Sequence, residues 1–391
     1  MHKNPTDAET QYTLGLAHFE GQGVEQDSAE AVEWFRKAAN QEYAPAQHGL
    51  GNMYFSGQGV EQDFAEAMQW FRKAGDQGLV QAQFNLGCMY EDGLGVEQDF
   101  AAAERWYRKA ADHGFEKAQY NLADMYRQGL GVKQDLAEAT NWYRKAAEQG
   151  AAEAQCSLGL MYKGGQEGKR DFAEAERWLR KAADQGSAEA QCELGVMYRQ
   201  GQGVEVDYTK ALQLYRKAAE RGFAPAQHNL GNMCASGQGQ EVDYGEAVRW
   251  YRKAAEQGLP QSQKNLAGMY SQGLGVDEDP EEALRWLQKA LTQGNSLAPD
   301  FPAGMNDQRV KGEEEYAEAS GSQKAVGLNH SEAEHNVGGS YTIGQGVKKI
   351  FAEVVSWFRG SAGNENAQAQ DISEEDEGER EDSEEHRPHE N

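Results

Sequence analysis

Residues 82–114 read AQFNLGCMYEDGLGVEQDFAAAERWYRKAADHG, and residues 118–150 read AQYNLADMYRQGLGVKQDLAEATNWYRKAAEQG. The second string repeats the first after 36 residues. Outward from this pair, the same step carries Trp106 and Trp142 back to Trp70 and Trp34 and on to Trp178, Trp250 and Trp286, with Leu214 as the interruption. The eighth tryptophan, Trp357, heads a further unit, so every Trp holds one position of one pattern. A constant period of this length marks stacked supersecondary units, none of which can bury its apolar face alone.

Within residues 44–78, Ala46, Leu50, Met53 and Tyr54 fall at helical spacing and predict a first helix, A. Gly57 and Gly59 stop it, because glycine accepts the left-handed backbone that closes a helix. Asp63 is the expected N-cap of a second helix, B. Glu66, three residues on, suggests an acidic capping box, repeated as Asp27/Glu30, Asp135/Glu138, Asp171/Glu174, Asp243/Glu246 and Asp279/Glu282. Helix B carries Ala67, Trp70, Phe71 and Ala74 on its buried stripe and ends at Gly78. Pro280 fills a first helical position, where no amide partner is required. Small residues facing large ones predict closely stacked helix pairs. The Arg-Lys that follows the helix-B aromatics is expected to favour the negative end of the helix dipole.

The pattern A-x-x-x-L-G-x-M-Y-x-x-G-x-G-V-x-x-D-x-x-x-A-x-x-W-Y-R-K-A-A-x-x-G resembles the Sel-one-like repeat, a 36-residue relative of the tetratricopeptide repeat. After an N-terminal extension (1–7), the resemblance covers residues 8–294 as eight in-frame units, keyed by Gly15, Gly51, Gly87, Ala123, Gly159, Gly195, Gly231 and Ala267. It implies an all-α α-solenoid, a right-handed superhelix of stacked antiparallel helix pairs. Its implied role is that of a non-enzymatic scaffold or adaptor holding a partner segment in a concave groove. Residues 295–330 keep Glu315-Tyr316-Ala317-Glu318-Ala319 in frame and are expected to form a degenerate ninth repeat. Residues 331–366, with Gly338, Tyr341, Gly344, Gly346, Val347 and Trp357, are expected to form a tenth. Residues 367–391 read as an acidic disordered tail.

The chain has 391 residues and a net charge of −26, and within 371–391 eleven acids face two arginines. Such a field repels phosphate backbones, so nucleic acid is not an expected partner; a protein or peptide segment is. No apolar run is long enough to span a bilayer, and the start lacks the apolar core of a secretory signal, so no membrane insertion and a cytoplasmic location are expected. Oligomeric state is left open.

Gly-Gln-Gly-Val and Gly-Leu-Gly-Val join two helices and precede no Lys-Ser/Thr, so they read as turns and not as phosphate loops. The nine histidines make no His-Glu-x-x-His and the four cysteines no Cys-x-x-Cys, so neither a metal nor a cofactor is expected. No Gly-x-Ser-x-Gly elbow appears, and no catalytic residues are assigned. The alternative reading is a small-molecule-binding or hydrolytic, β-lactamase-like protein of the family's cysteine-rich branch. That branch pairs a cysteine from each helix of a repeat, and helix B here carries none.

The informative residues are those that vary between uniform repeats. By resemblance to tetratricopeptide repeats, three helix-A columns line the groove. The first includes Tyr12, His48, Phe84, Tyr120 and His228, the second Asn52, Asp124 and Asn232, and the third Phe19, Phe55, Glu91, Arg127, Lys163 and Arg199. The expectation is that the aromatics grip apolar side chains and that the three cations meet an acidic or C-terminal carboxylate-bearing segment. Gln47 and its equivalents are too uniform for partner choice and are expected to bond a neighbouring turn.

Overall fold

The computed structural model describes residues 6–165 and 170–291; the expected ninth and tenth repeats and the acidic tail lie outside the described residues. Among the described residues there are sixteen helices and no strand. The A helices are α1 (Ala8–Glu20), α3 (Ala44–Ser56), α5 (Val80–Asp92), α7 (Glu116–Gln128), α9 (Ala152–Gly164), α11 (Ala188–Gln200), α13 (Ala224–Ser236) and α15 (Pro260–Gln272). The B helices are α2 (Ser28–Ala39), α4 (Phe64–Asp76), α6 (Phe100–Asp112), α8 (Leu136–Gln149), α10 (Phe172–Asp184), α12 (Tyr208–Glu220), α14 (Tyr244–Glu256) and α16 (Pro280–Leu291). The chain is an all-α solenoid of 36-residue helix pairs.

Its contacts separate two compact units. Of the described residues, the first comprises those up to Leu194 together with Gln202–Val204, and the second comprises Gly195–Gly201 and those from Glu205. In the first, each helix from α1 to α10 packs on the next; in the second, α12 to α16 do the same.

Five of the pairs close where an A-helix glycine meets a B-helix ring. A Cβ added to Gly15, Gly51 or Gly87 would stand 2.6, 2.6 and 2.4 Å from Phe35, Phe71 and Tyr107. In the second unit, Gly195 and Gly231 meet Tyr215 and Tyr251 in the same way, at 2.8 and 2.7 Å. The loop glycines divide their labour. Gly57 takes the left-handed conformation (φ 71°) that ends α3. Gly59 comes so near the preceding B helix that a Cβ would fall 2.1 Å from the Ser28 carbonyl oxygen.

The capping box forms by half. Asp63 Oδ1 accepts from the amides of Ala65 and Glu66 at 2.9 and 3.0 Å. The Asp63 amide, however, donates to the Tyr54 carbonyl at 2.9 Å, so no return bond from the glutamate is made. In three other repeats the glutamate serves the tryptophan one turn on, Glu138, Glu174 and Glu246 accepting from the indole Nε1 of Trp142, Trp178 and Trp250 at 2.8, 3.0 and 3.3 Å.

The Arg-Lys pair also has more specific work than complementing a dipole. Lys37, Lys73, Lys109 and Lys145 place Nζ over the rings of Trp34, Trp70, Trp106 and Trp142, at 3.9, 3.8, 3.8 and 3.5 Å from the centroids. Arg36 donates to the Tyr54 hydroxyl of the next A helix at 3.1 Å, and Arg144 to Tyr162 at 2.6 Å. Arg72 and Arg108 reach Tyr90 and Tyr126 likewise. The tryptophan column is therefore a boundary, with Trp142 and Trp178 buried and Trp34, Trp70 and Trp106 half-buried under lysine.

The uniform glutamines bond as expected. Gln47, Gln83, Gln119 and Gln155 are buried, and each donates to the carbonyl of the residue eight positions back, at the end of the preceding B helix, at 3.0–3.3 Å. Gln77, Gln149 and Gln185 in turn donate to Gln47, Gln119 and Gln155 at 2.8 Å. A buried carbonyl left unmatched at these seams would be destabilising, which accounts for the invariance.

Candidate interaction groove

The first predicted column is less free than the sequence implies, because it packs on the B-helix ring of its own repeat. Ring centroids are 5.5 Å apart for Tyr12 and Phe35, 5.6 Å for His48 and Phe71, 5.7 Å for Phe84 and Tyr107, 5.6 Å for Tyr120 and Tyr143, and 5.9 Å for His228 and Tyr251. All five are half-buried, each with one part in the core and one part at the surface. Burial lowers the His48 pKa, favouring the neutral imidazole.

The second column divides between surface and core. Asn52 is exposed, whereas Asn232 is buried in the second unit, where its Oδ1 accepts from the Tyr251 hydroxyl at 2.6 Å and from Asn265 Nδ2 at 3.1 Å. Asp124 is half-buried; its Oδ1 accepts from the Tyr143 hydroxyl at 2.8 Å and from Arg127 Nε at 2.9 Å.

In the third column Phe55 is 38% exposed and lies edge-on to Phe64, with centroids 5.3 Å apart, while Phe19 is half-buried against the first core. Glu91 Oε2 accepts from the Tyr107 hydroxyl at 2.5 Å. Two of the three cations are matched within the chain. Arg127 pairs with Asp124 and Lys163 with Glu193, each at 2.6 Å. Arg199, in the second unit, has no ion pair among the described residues, and its buried Nε has no hydrogen-bond partner there.

One contributor escaped the sequence reading. Asn85 joins adjacent A helices, its Nδ2 lying 3.2 Å from His48 Nε2 and donating to Asn52 Oδ1 at 3.4 Å. Its column (Gly49, Asn85, Asn121, Ser157, Glu193, Asn229, Asn265) varies as the other groove columns do and could have been read by that signal. Beside Asn85 the first unit opens a cleft of about 200 Å³ between α3 and α5, lined by Asn52, Phe55, Phe71, Asn85, Cys88, Met89, Asp92 and Leu94.

The Sel1 repeat model matches residues 8–43, 44–79, 80–115, 116–150, 152–187, 188–223, 224–259 and 260–295. The chain belongs to the Sel1 repeat family. No curated protein matches the sequence. Among solved structures, a protective antigen from uropathogenic Escherichia coli strains that displays an SLR fold is 33% identical, covering 83% of this chain and 81% of its own, with a TM-score of 0.55. A Sel1 repeat protein from Oxalobacter formigenes is 36% identical, covering 62% of this chain and 96% of its own, with a TM-score of 0.57.

Three of the four cysteines in the Sel1 array favour the protonated thiol. Burial pushes the Cys156 and Cys234 pKa up to about 12 and raises that of Cys88 as well, so these are not poised thiolate nucleophiles. Among the described residues no three His, Cys, Asp or Glu side chains gather as a metal site, and no helix is long and apolar enough to cross a membrane.

Proposed function

We propose that this Sel1 repeat protein is a cytoplasmic scaffold or adaptor that holds a segment of another protein along the A-helix face, at the groove columns named above. Stacked repeats build extended surfaces of this kind, and the family supports an interaction role. The observation that carries the reading is the exposed pair Asn52 and Phe55 at the mouth of the α3–α5 cleft, where a large apolar ring remains at the surface of an otherwise well-covered repeat.

Photo-crosslinking in the full chain tests it. A benzophenone side chain at position 55 is expected to capture a discrete partner, and one at the exposed helix-B position Arg105 is not. Capture from position 105 alone would move the site to the other face.

A further inference from the structure

The α3–α5 cleft has an electrostatic character opposite to the cationic column beside it. Its floor is apolar, formed by the buried Phe71 and Met89, and the exposed Phe55 ring forms one wall. Beside the Asn52 NH₂ group, two of its polar groups offer acceptors. Asn85 spends its NH₂ group on His48 and Asn52, which leaves Asn85 Oδ1 without a partner among the described residues. Asp92 is exposed, closes the C-terminal end of α5, and has neither an ion pair nor a hydrogen bond among those residues. A carboxylate at a helix C-terminus adds to the negative pole of the helix, and the place favours a cation.

The surroundings reinforce this. Arg127, in the next repeat, is tied to Asp124, whereas Glu91 and Asp92 have no ion pair among the described residues. At about 200 Å³ the cleft is smaller than sites that enclose whole small molecules, and its size suits one side chain.

We infer that this cleft receives a cationic side chain, arginine or lysine, from the segment held in the groove, with its methylenes against Phe55 and Met89 and its charge on Asp92 and Asn85 Oδ1. The inference rests on the groove reading above and gives that partner its chemistry: a segment carrying basic residues.

The full chain is titrated into fluorescein-labelled, capped decapeptides of Gly and Ser carrying three Arg, three Gln or three Glu, read by fluorescence anisotropy at physiological salt. The Arg peptide is expected to bind best, and Asp92→Asn to weaken it about tenfold, the loss of one charge-assisted contact. Asp76→Asn makes the same charge change at an exposed helix-B position and is expected to weaken binding less than about twofold.

Equal losses from the two substitutions reduce the effect to long-range charge and overturn the inference. So does failure of the Arg peptide to bind below about 1 mM, which leaves the groove to its crosslinking test. Preference for the Glu peptide, abolished by Phe55→Ala, keeps the groove and overturns the cationic ligand. Arg-peptide binding indifferent to both Asp92→Asn and Phe55→Ala overturns both readings.

Discussion

Gly51 lies so close to Phe71 that a Cβ added to it would stand 2.6 Å from two carbons of the ring, with the Ala67 carbonyl oxygen at 3.3 Å. The ring is buried and cannot retreat. Gly51→Ala is therefore expected to destabilise the first unit by about 1–3 kcal/mol through overpacking, offset by the roughly 1 kcal/mol that alanine gains in helix propensity. Urea unfolding followed by circular dichroism measures the difference. A stabilised variant would show that the helix pair can open without loss.

His48 makes stability depend on pH. Its pKa lies below the ordinary 6.5 because burial opposes the charged ring. As pH falls through about 6.5, the unfolded chain takes up a proton that the folded chain does not, so the unfolded state gains and stability declines. His48→Phe, the residue that Phe84 supplies at the equivalent place, is expected to reduce the drop in Tm between about pH 7.5 and about pH 5.5. An unchanged drop would assign it to other groups.

Asp124 supports the buried Tyr143, whose hydroxyl donates to it at 2.8 Å. Asp124→Ala is expected to cost about 1–3 kcal/mol, since the hydroxyl loses its acceptor while Arg127 loses its ion pair. The double variant Asp124→Ala, Tyr143→Phe should recover part of that loss by removing the stranded hydroxyl. Additive losses in a double-mutant cycle would mean that the two side chains are not coupled.

Thiol reactivity reports the burial directly. Cys156 and Cys234 are buried and their thiols stay protonated to about pH 12, so native protein at about pH 8 should label them very slowly with an aromatic disulfide. Denaturation without reductant should release four titratable thiols. A count of two or fewer would indicate disulfides.

Much of the fold was legible because one 36-residue step fixes which residue occupies which place, and the glycines, capping aspartates and glutamines each hold a fixed seat. The same step says nothing about which neighbour fills a seat's surroundings. That is why the Tyr12 and His48 column, expected to face a partner, turns half of each ring onto Phe35 and Phe71. Arg127 and Asp124 stand three apart on one helix, a spacing at which a pair could have been foreseen. Lys163 and Glu193, 30 residues apart, meet only because consecutive A helices lie side by side. The α3–α5 cleft depended on Asn85, whose column was passed over because its bonds run between repeats.

The bonds between repeats keep constant separations in the sequence. Arg36 reaches Tyr54 and Arg144 reaches Tyr162 across eighteen residues, and Gln77 reaches Gln47 as Gln149 reaches Gln119 across thirty. Excising or duplicating one in-frame block breaks a set of joints and at once restores the same kinds of joint with the next block along. A gene encoding this chain can thus lengthen or shorten by unequal recombination without searching for new contacts. Array length is free to drift, while register is what selection must guard.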